Sequence, residues 1–224
     1  MRLLADLLPP FVSAVETRED RLDVELFPEE ELALGDAAEK RRREFVTGRA
    51  CAREALAGLG LPPSPLSSGT KGEPLWPPGV VGSITHCEGY RACAIARSSS
   101  ALMLGIDAER NAPLREGVWE EVAHGRERQL RGADAGGGYH LDATLFSAKE
   151  AIFKAWYPLA RRWLGFGDAE VRIDSSGAFT ARLLVPGPEV SGAPLRDLAG
   201  RWAADGDVVV TAVLVPTQGE PGIA

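Results

Sequence analysis

The sequence predicts an α+β fold made of two similar halves, each beginning with a long helix and continuing into short strands. A polar segment early in the chain and an amphipathic segment later both predict helices. Each is followed by strand-like runs bounded by turn residues. This order occurs twice, which favours a duplicated unit without a visible residue-level repeat. We place the halves at residues 1–109 and 110–224.

The first half begins with a polar helix, which we predict over residues 37–59. The proline-rich segment 62–65 ends it, because proline cannot continue a helix. Strands follow at residues 80–85, 90–96 and 102–109. Serines at residues 98–100 form the turn between the last two strands, which therefore lie side by side as a hairpin.

The second half begins with an amphipathic helix over residues 141–157, where Pro158 is expected to end it. Its apolar stripe repeats at helical spacing and consists of Leu141, Leu145, Ala148, Ile152 and Ala155. Strands are predicted at residues 169–173, 179–185 and 208–215, with a turn at 204–207. Between the halves, residues 110–140 are expected to form a loop that contains the glycine-rich segment 132–138.

Asp107 and Glu109 close the third strand and form the first candidate site. Residues two apart on a strand point to the same face, with roots about 6–7 Å apart. Both carboxylates are therefore able to reach one hard divalent cation, which prefers oxygen ligands. A short acidic pattern is a weak signal, and a solvated acidic turn is the alternative.

Glu150, together with Lys149 and Lys154, forms the second candidate site. Glu150 falls on the helix side that also carries aromatic residues, so we expect its carboxylate to be largely desolvated. Such a group needs a cation or hydrogen-bond donors, and the two lysines suit a polyanionic substrate. The alternative is a structural Glu150–Lys154 pair, worth about 0.2–0.5 kcal/mol when exposed.

Several further residues are candidates for binding phosphate. His86 follows a small-residue strand and is able to donate a hydrogen bond to phosphate near neutral pH, although a structural histidine is the alternative. The segment Ser68-Gly69-Thr70-Lys71 offers backbone N–H groups and one lysine to an anion. Trp163 either lines an apolar tunnel or packs in the core.

A basic helix face comprises Lys40, Arg41, Arg42, Arg43, Arg49 and Arg53. Glutamates are interspersed with these residues, so the sequence alone favours a solvated surface. The alternative is that guanidinium groups clamp a terminal phosphate.

Bulk composition narrows the class of protein. The 224 residues carry 25 basic and 32 acidic side chains, a net charge of −7, which argues against a general nucleic-acid binder. Three irregularly spaced cysteines do not suit a disulfide framework or a zinc site. We find no signal peptide and no apolar run of about 18 residues. These features predict a cytoplasmic protein without a membrane span.

Three segments, at residues 82–90, 105–109 and 146–159, resemble the signature blocks of the 4′-phosphopantetheinyl transferases. The similarity is strongest to the enterobactin-synthase-component branch found in actinobacterial siderophore, polyketide and nonribosomal peptide pathways. It implies a pseudo-two-fold monomer in which each long helix packs on a small, mostly antiparallel sheet. It also implies that coenzyme A lies between the halves and that its 4′-phosphopantetheine arm is transferred to a serine of an acyl or peptidyl carrier protein.

The resemblance also implies roles for individual residues. Asp107, Glu109 and the Ala108 carbonyl would bind Mg²⁺, while Glu150 would act as general base, either alone or also as a further metal ligand. Lys154 would hold phosphate, and His86, counted with Glu150 and Lys154 among the catalytic residues, would also grip the nucleotide and pyrophosphate of coenzyme A. The remaining coenzyme A contacts would come from Arg41, Arg49, Ser68, Gly69, Thr70, Lys71, Thr85 and Trp163. Close relatives tend to have lysine at the position of Ser68, so the grip on the 3′-phosphate is expected to weaken or pass to Lys71.

Two other functions use the same groups: a metal-dependent phosphohydrolase and a non-catalytic coenzyme A-binding protein. The acids would activate water in the first. Carrier proteins are commonly acidic, so we also expect a local basic docking area that includes Arg110, Arg115 or Arg126.

Overall fold

The computed structural model describes residues 2–133, 138–190 and 192–223. These residues form a three-stranded and a five-stranded antiparallel sheet, each covered by one long helix, and a short two-stranded sheet of residues 189–190 and 193–194. The helices are α1 (Pro28–Leu34), α2 (Glu39–Gly58), α3 (Glu116–Val122) and α4 (Leu141–Ala160). The strands are β1 (Ser13–Thr17), β2 (Val80–Cys87), β3 (Tyr90–Arg97), β4 (Ala101–Arg110), β5 (Ala169–Ile173), β6 (Ala178–Leu183), β7 (Glu189–Val190), β8 (Ala193–Pro194), β9 (Asp197–Ala204) and β10 (Val208–Pro216).

The smaller sheet has the strand order β1-β3-β2, and α2 packs on it through small apolar side chains. β2 and β3 form a hairpin in which Cys87 pairs with Tyr90. The turn contains Gly89 with a φ of 75°, a conformation that favours glycine. This hairpin places Thr85 and His86 at the end of β2 nearest the turn.

The larger sheet has the order β4-β10-β9-β6-β5, with α4 lying across β4 and β10. Gly105 of β4 makes this close packing possible, because a Cβ atom there would lie 2.0 Å from the Ala151 carbonyl oxygen. Beneath α4, Leu145, Ile152 and Trp156 are fully buried. This packing places the Glu150 side of α4 opposite the end of β4.

Side-chain hydrogen bonds join β2 of the smaller sheet to β4 of the larger one. The Ser83 hydroxyl donates to the Ile106 carbonyl, and Thr85 Oγ1 donates to Asp107 Oδ1 at 3.1 Å. Thr85 Oγ1 also accepts a hydrogen bond from the Ala108 amide. The two sheets therefore meet along the strand that carries the first pair of acids.

The predicted α+β class and the two helix-on-sheet units are confirmed. Helices at 37–59 and 141–157 and all six predicted strands are present, with ends shifted by a few residues. The boundary between residues 109 and 110 stays a prediction. The expected hairpin of β3 and β4 was wrong: β3 pairs with β1 and β2, whereas β4, which we assigned to the first half, is hydrogen bonded to β10 of the other sheet.

Two expectations about irregular structure were wrong. Pro158 does not end α4, which continues to Ala160; only two helical residues follow the proline, so little regular hydrogen bonding is lost. Segment 110–140 is not simply a loop, because α3 and a 3₁₀ helix at Gly125–Leu130 lie within it. Trp119 and Val122 of α3 are buried, and this burial stabilises the helical part of the segment. Residues 134–137 of the predicted glycine-rich loop fall outside the described residues.

Within the described residues, none of the helices combines the length and apolar character that crossing a membrane would require.

Candidate active site at the junction of the two sheets

A crevice of about 320 Å³ opens between α2, the end of β2, β4 and α4. This volume is in the range of small-molecule sites. Its charged and polar lining includes Arg41, Glu44, Arg49, Ser68, Thr85, His86, Asp107, Glu109, Glu150 and Lys154. Residues predicted from distant parts of the sequence therefore meet in one place.

Asp107 lies at the centre of this crevice and is only 4 % exposed. Its Oδ1 atom accepts hydrogen bonds from Thr85 Oγ1 and, at 2.6 Å, from Lys154 Nζ. Its Oδ2 atom is buried and has no hydrogen-bond partner among the residues that the structure describes. A buried carboxylate oxygen without a donor is costly, so Asp107 has capacity for one further cationic or donor group.

The Asp107 carboxylate affects the pKa of both Glu109 and Glu150. Burial, and then the Asp107 carboxylate, raise the pKa of Glu109 to about 7. Burial is also the main cause that raises the pKa of Glu150, and Asp107 contributes again. Lys154 opposes both shifts. Three carboxylates and one ammonium thus interact here, and burial together with the excess negative charge raises the pKa of both glutamates.

The expected Mg²⁺ site stays a prediction. Among the described residues, no group of three His, Cys, Asp or Glu side chains is arranged to hold a metal ion. The ammonium of Lys154 lies against Asp107 and supplies the nearest positive charge. The carboxylate oxygens of Asp107 and Glu109 are nevertheless the hard donors that Mg²⁺ prefers, and Asp107 Oδ2 is unpaired.

His86 stands between an arginine and a glutamate. Its Nε2 atom lies 2.9 Å from Arg41 Nη1, and its Nδ1 atom lies 3.5 Å from Glu44 Oε2. Arginine only donates, so Nε2 is the acceptor and Nδ1 carries the hydrogen of the neutral ring. Burial lowers the pKa of His86 and Glu44 partly opposes this effect. His86 is therefore at the site and not in a separate structural position.

Arg49 is buried, and three neighbouring groups hold its guanidinium in place. Its Nε atom lies 3.6 Å from Glu30 Oε1, Nη2 donates to the Leu66 carbonyl, and the guanidinium packs on the Phe45 ring. Arg53 also pairs with Glu30, at 2.6 Å. The solvated-surface interpretation is thus wrong for these two arginines. It holds for Arg42 and Arg43, which pair with surface carboxylates.

The predicted anion-binding loop is tied to both halves. Ser68 lines the crevice, and the Gly69 amide donates to the Glu73 carbonyl. The Thr70 hydroxyl lies 3.2 Å from the Tyr157 hydroxyl, and Lys71 Nζ lies 5.5 Å from the centre of the Trp163 ring. Lys71 therefore lies beside Trp163, while Ser68 lines the crevice. Their coenzyme A contacts stay predictions.

Trp163 is 65 % exposed and does not pack in the core. Its ring centre lies 4.8 Å from that of Phe153, and both residues line an apolar cavity of about 130 Å³. Glu150 lines this cavity as well as the polar crevice. An apolar arm is thus able to lie beside Trp163 while its polar end approaches Glu150.

Lys149 does not take part in phosphate binding, contrary to the sequence-based expectation. It is buried, with Nζ donating to Glu127 Oε2 at 2.7 Å and to the carbonyls of Val122 and Phe166. The rotation of about 100° per helical residue turns Lys149 away from the face of Glu150. All three ammonium hydrogens are used by this structural contact.

Sequence reasoning missed Glu30 and Glu44. Glu30 is fully buried and supports Arg49, but it stands within a run of three glutamates that is typical of a solvated helix start. Glu44 lies three residues after Arg41, which offered a weak signal for a shared helix face. The proposed docking arginines, Arg110, Arg115 and Arg126, are exposed, and their role stays a prediction.

Comparisons with known proteins point to the same family along most of the chain. The 4′-phosphopantetheinyl transferase N-terminal domain matches residues 29–96, and the 4′-phosphopantetheinyl transferase superfamily domain matches residues 103–205. The chain is 50% identical to the 4′-phosphopantetheinyl transferase Svp of Streptomyces mobaraensis, over 95% of this chain and 89% of the relative. It is 41% identical to the 4′-phosphopantetheinyl transferase PptT of Mycobacterium tuberculosis, over 95% and 98%.

A more distant similarity is 37% identity to enterobactin synthase component D of Escherichia coli K12, over 54% of this chain and 58% of the relative. None of these comparisons supports a phosphohydrolase or a non-catalytic binding protein. Matched in both halves and along nearly its full length, the chain belongs to the 4′-phosphopantetheinyl transferase superfamily, whose enzymes transfer the phosphopantetheine arm of coenzyme A to carrier proteins.

Proposed function

We propose that this crevice is where the chain transfers the 4′-phosphopantetheine arm of coenzyme A to a serine of an acyl or peptidyl carrier protein. The observation that carries the proposal is the meeting of Asp107, Glu150 and Lys154 in a crevice that Arg41, Arg49 and His86 also line. Carboxylates there suit proton transfer and cation binding, and the basic groups suit a pyrophosphate.

Glu150 is the proposed general base. A raised pKa brings a carboxylate closer to the pH at which it must accept a proton, and burial has this effect on the pKa of Glu150. It takes the proton of the carrier serine while the serine oxygen forms a bond to the β-phosphorus of coenzyme A. The bond from that phosphorus to the bridging oxygen breaks, and adenosine 3′,5′-bisphosphate leaves.

Lys154, Arg41, Arg49 and His86 are the proposed phosphate contacts. Lys154 is 29% exposed and reaches the centre of the crevice, so it is able to bind an incoming phosphate oxygen. Arg41 and Arg49 of α2 line the same crevice, and Arg49 is held by Glu30 and by a backbone carbonyl group. Preorganised positive groups stabilise charge that develops on phosphate oxygens during transfer.

Asp107, Glu109 and the Ala108 carbonyl are the proposed Mg²⁺ ligands. The unpaired Oδ2 atom of Asp107 and the raised pKa of Glu109 both indicate negative charge that is poorly compensated. When bound, the ion would supply positive charge against the pyrophosphate oxygens.

Mass spectrometry of an apo carrier protein incubated with coenzyme A and Mg²⁺ tests the proposal. We expect the carrier to gain one phosphopantetheine arm. Glu150→Gln should lower kcat by about 10²–10⁴-fold, the usual contribution of a general base, while the exposed Glu120→Gln control should retain activity. No gain with any of several carriers, or full activity of Asp107→Ala, would contradict the proposal.

A further inference from the structure

Glu44 is the acidic partner of His86 at the crevice. It is 9 % exposed, and its Oε2 atom lies 3.5 Å from Nδ1 of His86. Within the described residues, this is its sole ion-pair contact. Arg41 approaches the other ring nitrogen, Nε2, at 2.9 Å. The imidazole is therefore held between a donor and an acceptor.

The arrangement fixes the tautomer of His86 before a ligand binds. The guanidinium of Arg41 has no acceptor atom, so Nε2 must present its lone pair to it. The single ring hydrogen is consequently on Nδ1, facing Glu44. Hydrogen bonds of this kind are often long in ligand-free sites and shorten in the complex.

A bound phosphate changes what Nε2 must do. When a phosphate oxygen accepts the hydrogen bond of Arg41, Nε2 loses its donor and meets an acceptor instead. Glu44 is an acceptor and keeps a hydrogen on Nδ1. Nε2 is therefore able to donate only if it gains a proton, which makes the ring an imidazolium. The proton comes from solvent, and no covalent bond between heavy atoms forms or breaks.

The charges around His86 make Glu44 necessary for this change. Arg41 on α2, Arg91 on β3 and Lys154 on α4 are cationic and oppose a positive ring. Glu44 is the anionic group that favours it. We propose that Glu44 is a positioning residue that orients His86 and lets it take up a proton when a phosphate group of coenzyme A binds. This inference rests on the proposed function.

Calorimetry of coenzyme A binding in two buffers of different ionisation enthalpy measures the proton uptake directly. The measurement is made at pH 7.5, which is about 1 unit above the pKa of free histidine. We expect the wild type to take up a substantial fraction of a proton when coenzyme A binds. Glu44→Gln should take up much less and bind coenzyme A on the order of tenfold more weakly, as expected for a lost charged hydrogen bond. Glu39→Gln, on the same helix but paired with Arg43, is the control and should match the wild type.

Kinetics separate positioning from a general loss of structure. Glu44→Gln should raise KM for coenzyme A, more strongly at high pH, with kcat at saturating coenzyme A little changed. Glu44→Asp, which keeps the charge, should recover part of the affinity and serves if the glutamine variant does not fold. In a His86→Gln background, Glu44→Gln should add no further loss.

Each outcome has one interpretation. Wild-type proton uptake and affinity in Glu44→Gln would overturn the inference, and so would a full additional loss in the His86→Gln background. A wild-type protein that neither binds coenzyme A nor modifies a carrier would instead overturn the proposed function. Binding and transfer that persist unchanged in the Glu44 variants would leave that function intact and remove only the role of Glu44.

Discussion

Glu109 shows how a single carboxyl group makes the stability of the metal-free protein depend on pH. Burial and Asp107 raise its pKa to about 7, above its ordinary value of 4.5. The folded protein therefore binds this proton more tightly than the unfolded chain, and the resulting stability is fully present below about pH 4.5. It is lost as the pH rises through about 7, with a slope of at most about 1.4 kcal/mol per pH unit.

The measurement is the unfolding free energy in urea, with chelator present, between pH 4.5 and pH 8. Glu109→Gln has no ionisable group there, so its stability should fall less over this range than that of the wild type. Glu120→Gln, an exposed substitution, provides the matched control. Parallel curves for Glu109→Gln and the wild type would show that the carboxyl does not titrate in this window.

Residue-level prediction succeeded where chemistry follows from local spacing. Asp107 and Glu109 share a strand and Glu150 and Lys154 share a helix face, so their meeting required only that two elements pack together. Glu30 and Glu44 could not be assigned in this way, because their importance comes from arginine and histidine partners on other segments. Lys149 failed for the opposite reason: its neighbour in sequence, Glu150, lines the crevice, but the Lys149 side chain points to Glu127.

At the scale of elements, the Lys149–Glu127 pair joins α4 to the segment between α3 and β5. Both side chains are at most 2 % exposed, and Glu127 also accepts hydrogen bonds from the amides of His124 and Val171. Lys149→Met would leave a buried carboxylate without its cation. We expect a loss of about 3–5 kcal/mol in unfolding free energy, measured in urea.

The exposed Lys40→Met variant is the control and should lose little. Replacing both partners, as in Lys149→Met with Glu127→Gln, should recover part of the stability because no uncompensated charge remains. A Lys149→Met protein as stable as the wild type would mean that the pair contributes nothing beyond hydrophobic contact.

Gly105 controls the distance between α4 and β4. A Cβ atom there would lie 2.0 Å from the Ala151 carbonyl oxygen and 2.6 Å from the Ala155 amide nitrogen, both backbone atoms of α4. Gly105→Ala should therefore push the helix away, cost about 1–3 kcal/mol as other overpacked cores do, and separate Glu150 from Asp107. We expect kcat to fall more than KM changes, whereas Gly117→Ala, in open space on α3, should affect neither. An unchanged kcat would exclude this packing contact as a determinant of activity.

Over the whole molecule, sequence patterns predicted strands with apolar alternation, such as β4, and nearly continuous apolar runs, such as β10, and missed strands with neither pattern. The edge strand β1 has five half-buried residues and so lacks a distinct apolar face. β9 was missed although its burial alternates along Leu198, Gly200 and Trp202, because glycine interrupts the apolar pattern. Pairing of β4 with β10 depends on the order of strands across the whole chain, which local spacing does not contain.

The contacts across the junction predict that the two sheets unfold together. Thr85 bonds to Asp107 and to the Ala108 amide, and Arg161 Nη1 lies 2.8 Å from Glu73 Oε1. The acids of the candidate active site lie on this junction, so joint unfolding of the sheets would also mean that these acids keep their arrangement until the whole molecule unfolds. Single-tryptophan variants that retain either Trp76, bonded to Gly82 beside the smaller sheet, or Trp202 of β9 report on the two sheets separately. We expect coincident urea midpoints for both reporters and for far-ultraviolet circular dichroism, as in two-state unfolding. Thr85→Val should shift all three by the same amount, whereas separated midpoints would mean that the halves are independent folding units joined only by the chain.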